Sequence, residues 1–174
     1  MFRKSFSLLI GLMVLCFSAV ASADYPTYLN GDRNLIFCDG RMGTAWYVDR
    51  SSLVVQKYAP PQYIIAVNVV TATSAYNDER DFFNGGQGKI THVETKRFFY
   101  NWNLREMYVD TTGNDGWRYL NPNGSWAQTG VSMPAGETAF YLAYKMKFYG
   151  SKTFYNSSLR KSYCPYNDSF YSKI

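Results

Sequence analysis

Three features of this 174-residue chain predict an α+β domain. Short β-branched and aromatic runs follow one another between turn signals. The hydrophobic period switches once, from two to about 3.6. That switch comes late, at Pro134–Tyr149, where Ala139, Leu142, Ala143 and Met146 recur at helical spacing. Strands grouped ahead of one helix favour segregated layers. The expectation is an antiparallel sheet of about five to seven strands, with one amphipathic C-terminal helix packed on it.

The elements follow in order. Leu35–Cys38 is a short apolar run, and Asp39-Gly40 a turn signal. Thr44–Asp49 and Leu53–Tyr58 read as two strands joined by a bend at Arg50-Ser51-Ser52, and Pro60-Pro61 breaks the second. Tyr63–Thr73 is the clearest strand, because its β-branched density disfavours a helix. On it, Tyr63, Ile65, Val67 and Val69 share one face. Asn77–Lys89 reads as a long loop, with three glycines among Gly85–Gly88. Thr91–Trp102 resumes strand character, with Phe98, Tyr100 and Trp102 on one face, and Leu104–Thr111 follows. Gly113-Asn114-Asp115-Gly116 is a hairpin signal ahead of Trp117–Leu120. Gly150 is the expected stop of the helix.

The first 23 residues carry the layout of a secretory signal. Arg3 and Lys4 precede an apolar stretch from Phe6 to Val20, and Ala21-Ser22-Ala23 supplies small residues for cleavage. The apolar stretch falls short of the roughly 20 residues a spanning helix needs. The expected organisation is a leader over 1–23 and one domain over 24–174, exported to the periplasm, cell surface or medium, with no stable membrane insertion. Removing Arg3 and Lys4 from the 18 basic residues leaves 16 against 13 acidic ones, a net +3. So mild a balance argues against nucleic-acid binding. Leu15 stands where a lipoprotein signal needs a small residue before Cys16, which argues against acylation.

Cleavage leaves Cys38 and Cys164. An even pair in an exported chain reads as a disulfide, with two unpaired thiols as the alternative.

The chemistry tests are mostly negative. His92 would share a strand face with Glu94 and Lys96, and an exposed strand surface is preferred over a general base. One His and two Cys are too few for zinc. Asp78, Glu79 and Asp81 crowd one loop, and Asp110, Asn114 and Asp115 flank another, but neither has the EF-hand spacing of a calcium site. No carboxylate pair is marked out for glycoside hydrolysis. Gly85-Gly86-Gln87-Gly88 is not followed by the Gly-Lys-Ser/Thr of a phosphate loop. The reading is therefore a protein without a catalytic residue, metal or cofactor. Its contact surface is placed on the mixed-charge loop residues Asp78, Glu79, Arg80, Asp81, Phe82 and Phe83, with neighbouring strand aromatics as anchors.

Three phrases carry a resemblance: Trp46-Tyr47-Val48-Asp49-Arg50-Ser51-Ser52, Gly116-Trp117-Arg118-Tyr119-Leu120-Asn121-Pro122 and Ala139-Phe140-Tyr141-Leu142-Ala143-Tyr144. Together with a C-terminal Cys, they resemble the bacterial surface-adhesin protein E family, and also small secreted proteins of anaerobic Gram-negative bacteria. The family's mid-chain Cys is absent from Phe98-Phe99-Tyr100-Asn101-Trp102-Asn103, so Cys38 is the partner left for Cys164. The resemblance implies a sheet-plus-helix fold and a non-enzymatic role at the envelope, contacting host or extracellular matrix proteins. A glycan or cell-wall ligand, or a periplasmic inhibitor or stress role, is the alternative.

Overall fold

The computed structural model describes residues 25–76, 82, 84–157 and 159–174. It is mainly antiparallel sheet with a few helices. Six strands run as a meander in chain order: β1 (Leu35–Arg41), β2 (Thr44–Ala59), β3 (Gln62–Ser74), β4 (Gly88–Asn101), β5 (Glu106–Asp110) and β6 (Trp117–Tyr119). Helices α1 (Trp126–Thr129), α2 (Ser132–Tyr144) and α3 (Asp168–Tyr171) follow, with a two-stranded ribbon, β7 (Phe154–Asn156) and β8 (Lys161–Tyr163), ahead of α3.

The two strands expected over 44–58 are one strand. Arg50-Ser51-Ser52 is an irregularity within β2 rather than a bend, because Asp49 pairs with Asn68 while Val54 pairs with Ala66. The Asp49 carboxylate organises it by accepting from Ser51 N and Ser51 Oγ. Asp39-Gly40 likewise lies inside β1, and the turn falls at Met42-Gly43, where both residues have positive φ. The expected helix starts two residues earlier than predicted and ends at Tyr144, where Lys145 takes a left-handed conformation. Gly150 is not its stop.

Both faces of the sheet are covered at β3, but by different parts of the chain. Tyr63, Ile65, Val67 and Val69 pack with Phe98, Tyr100, Met107 and Val109 against Ala135, Ala139 and Phe140 of α2. The expected shared face is therefore the inner core face. On the other side, Val70 and Ala72 join Ala45 and Tyr47 under Tyr25, Leu29 and Phe82. Fully burying each such apolar side chain stabilises the fold by about 1.5–3 kcal/mol. The helix approaches the sheet closely at Gly136, where a Cβ would lie 2.4 Å from Met107 Sδ.

The first two turns of α2 are buried almost all round, so its amphipathic stripe is weak. The reason is that the C-terminal segment covers its far side. Glu137 is fully buried and fixes that cover: its carboxylate accepts from Phe148 N at 2.8 Å, Tyr149 N at 2.8 Å and Tyr171 Oη at 2.5 Å. Tyr149 Oη in turn donates to Leu120 O at 2.7 Å and accepts from Met107 N at 3.0 Å, which ties β5 to the same network. Desolvation pushes the Glu137 carboxyl above the ordinary glutamate range, against the lowering effect of the Tyr171 hydroxyl and the backbone N–H groups.

The expected disulfide is not formed. Cys38 and Cys164 are both free thiols. Cys38 Sγ donates to Trp46 O at 3.3 Å, and Cys164 Sγ to Tyr166 O at 3.1 Å. The C-terminal segment is held by the Glu137 clasp and aromatic packing in place of a sulfur bridge.

Two outcomes follow for Glu137. Glu137→Ala leaves two backbone N–H groups and a phenol without their acceptor, and is expected to cost about 3 kcal/mol in urea unfolding. The folded carboxyl holds its proton more tightly than the unfolded one. Its contribution is therefore largest below the ordinary glutamate pKa of about 4.3 and falls as pH rises through the raised folded value. The stability gap between the natural chain and Glu137→Gln should narrow with rising pH, and a gap that widens would contradict the assignment.

Candidate functional site

The solvent-facing side of β4, β5 and β6 carries the strongest candidate site. Strand alternation sends Phe98 and Tyr100 inward, so it sends Phe99 and Arg97 outward. Register then fixes their neighbours. Phe99 lies opposite Tyr108, Tyr108 opposite Tyr119, and Asp110 opposite Trp117. The rings form a continuous ladder, with centroid separations of 5.7 Å for Phe99–Tyr108, 5.4 Å for Tyr108–Tyr119 and 5.8 Å for Phe99–Trp117. All four rings keep solvent-facing surface, and Tyr119 is 41% exposed. Such pairs add roughly 0.5–1.5 kcal/mol beyond burial, so the ladder is pre-organised rather than loose.

Charge frames the ladder at one end. The Arg97 guanidinium lies 5.3 Å from the Trp117 ring centroid and within 2.6 Å of Asp110 Oδ2 and 3.1 Å of Asp115 Oδ1. Its Nε donates to Gln56 Oε1 at 2.9 Å. Asp110, weighed above as a calcium ligand, spends its oxygens on this ion pair and on the backbone N–H groups of Thr112, Gly113 and Asp115. Desolvation would raise its pKa, but those N–H groups and Arg97 outweigh it and hold the carboxyl below the usual aspartate value. At the other end Tyr108 Oη donates to Glu106 Oε2 at 2.8 Å, and desolvation with that bond pushes the phenol up to about 12. It stays a donor at neutral pH.

Of the loop residues expected to form the contact surface, Asp78, Glu79, Arg80, Asp81 and Phe83 lie outside the described residues. Phe82 is fully buried, edge-on to Tyr25 at 5.3 Å. Its ring is core of the outer cluster, not a contact anchor, because a large apolar ring beside Leu29 and Gly88 gains more by burial. His92 is exposed on β4, as expected of a surface strand residue. The sequence reading did not single out the ladder. The signal was the second, outward-facing set of aromatics on the same strands.

A second feature lies at the opposite edge. Two cavities of about 330 Å³ share Cys38, Tyr166 and Phe170. The first is also lined by Cys164 and Lys173, and the second by Asp39, Trp126 and Met133. Trp126 is 43% exposed, donates through Nε1 to Asp39 Oδ2 at 2.8 Å, and lies under Arg41 at 4.2 Å. Burial and the Asp39 charge push the Cys38 thiol up, so it stays protonated and unreactive.

No family model, curated protein or solved structure matches this chain.

In a thiol titration of the folded chain, exposed Cys164 should react and Cys38 should react only after denaturation. A pair that resists thiol reagents until reduced would contradict the free-thiol assignment.

Proposed function

We propose that this chain is an exported, non-enzymatic binding module of the bacterial envelope, related to the surface-adhesin protein E family, and that it engages a protein partner through the outer face of β4, β5 and β6. One observation carries the reading: Phe99, Tyr108, Trp117 and Tyr119 form an ordered aromatic ladder on an open sheet face, beside Arg97. Trp, Tyr and Arg dominate protein–protein hot spots because they bury much area at low entropy cost. Rigid strands hold these rings, so little order is lost on binding. Host or extracellular matrix proteins are the class of partner the resemblance supports. The leader over 1–23 supplies the route to the envelope.

A glycan ligand is the second reading, favoured by the exposed Trp126 ring beside Asp39 and the neighbouring cavity. An aromatic face and a carboxylate acceptor suit a sugar.

Immobilised matrix proteins and a glycan array, probed in parallel, separate the two. The expected result is binding to a matrix protein that falls at least about tenfold in Trp117→Ala and Tyr119→Ala, while circular dichroism shows each variant folded and the melting temperature falls only by the loss of the ring pairs. Glycan binding that is abolished by Trp126→Ala and indifferent to Trp117→Ala would replace the first reading with the second.

A further inference from the structure

The two ends of the aromatic ladder are built from the same parts, aromatic rings beside carboxylates. At the first end those parts hold a cation of the chain itself. The Arg97 guanidinium lies 5.3 Å from the Trp117 ring centroid and bridges Asp110 and Asp115. A cation within about 6 Å of an aromatic centroid is attracted by the ring quadrupole, and a carboxylate beside the ring adds a charge-assisted bond.

At the second end the carboxylate is Glu106. It shares the outward side of β5 with Tyr108 and Asp110, because Met107 and Val109 take the inward positions. Its Oε2 accepts from Tyr108 Oη at 2.8 Å. Tyr119 joins the corner: its ring centroid is 5.4 Å from that of Tyr108, and after desolvation the Glu106 charge is the next cause pushing its phenol up. Two rings and a carboxylate therefore meet here as Trp117, Asp110 and Asp115 meet at the first end.

No side chain of this fold supplies the matching cation, among the described residues. Their ion pairs are Lys96–Glu94, Arg97 with Asp110 and Asp115, and Lys147–Asp168, and Glu106 is in none of them. Arg105, next to Glu106 in sequence, stacks on Trp102 at 3.3 Å and reaches Phe148 O on the inner side. On β6, Arg118 donates to Gln128 O of α1.

We infer that the partner engaged by the ladder presents a basic side chain, arginine or lysine, which seats on the Tyr108 and Tyr119 rings against the Glu106 carboxylate. The inference rests on the ladder being the interface, and charge complementarity chooses the occupant. Along the ladder one cation, Arg97, stands against three carboxylates, Asp110, Asp115 and Glu106. This face is therefore net negative on a chain whose formal net charge is +5. A basic segment is repelled by the molecule at large and attracted here, so charge also selects where it docks. An acidic segment would set like charges face to face at Glu106 and Asp115.

Fluorescence anisotropy of the natural chain with a labelled octapeptide of alternating Arg and Gly tests this. The reference peptide carries citrulline in place of Arg, which keeps the shape and removes the charge. The Arg peptide is expected to bind at least about tenfold more tightly than the citrulline peptide. Glu106→Gln, which keeps an acceptor for Tyr108, and Tyr119→Ala should each weaken it at least about threefold. Asp32→Asn, a change of an exposed carboxylate elsewhere, should leave it unchanged, and circular dichroism should show every variant folded. Equal affinity for the two peptides, no binding of the Arg peptide, or a loss in Asp32→Asn as large as in Glu106→Gln would overturn the inference. Immobilised matrix protein separates it from the reading beneath it. Binding lost in both Trp117→Ala and Glu106→Gln supports both. Binding lost in Trp117→Ala alone keeps the ladder interface and overturns the basic contact. Binding indifferent to Trp117→Ala overturns the interface and the inference with it.

Discussion

Everything in this fold follows from the need to cover β3 twice. Its residues alternate between two apolar sets: Val67 and Val69 face one way, Val70 and Ala72 the other. An antiparallel sheet can leave one face to water, but not a face built of Val and Ala. The chain supplies two covers from its two ends. Residues from Tyr25 to Leu29, with Phe82, close the outer face at β1–β3, and α2 with the C-terminal segment closes the inner face. Among the described residues the outer cover reaches β4 only at its first residue, Gly88, and the aromatic ladder beyond it lies open.

The inner cover is held by polar rather than covalent means. Glu137 gathers backbone N–H groups of the segment after α2 and the Tyr171 hydroxyl into one buried site. A buried carboxyl group is tolerable only when several donors satisfy it. Around it, Phe140, Phe148, Tyr100 and Trp102 pack edge-to-face, tilted or stacked, with centroids 4.8–6.0 Å apart. This aromatic mass explains much of the chain's Tyr and Phe content as core, and leaves the outward ladder as the part that packing does not account for.

Much of the fold was legible in the sequence because β-branched density and turn residues are local signals. Tyr63–Thr73 became Gln62–Ser74, and its inner face was read residue by residue. The failures share a cause. Arg50-Ser51-Ser52 looks like a bend, yet Asp49 satisfies the backbone there and β2 continues, a decision made by pairing with β3. Glu137 looks like a solvent-facing helix residue until the C-terminal segment folds over it. The expected disulfide rested on an even cysteine pair and an expected export, and the distance between two side chains is not a local property. For the site, Phe82 misled because a loop phenylalanine can be an anchor or a core residue with the same sequence. The ladder was hidden because its members come from three strands whose register the sequence does not state.

Hydroxyl-radical footprinting of the folded chain, read by mass spectrometry, distinguishes a sheet with two covers and one open face from one covered otherwise. Heavy modification of Tyr108, Trp117 and Tyr119 is expected, with Tyr47, Tyr100 and Phe82 protected until the chain unfolds. Protection of the ladder together with modification of Tyr47 and Phe82 would contradict it.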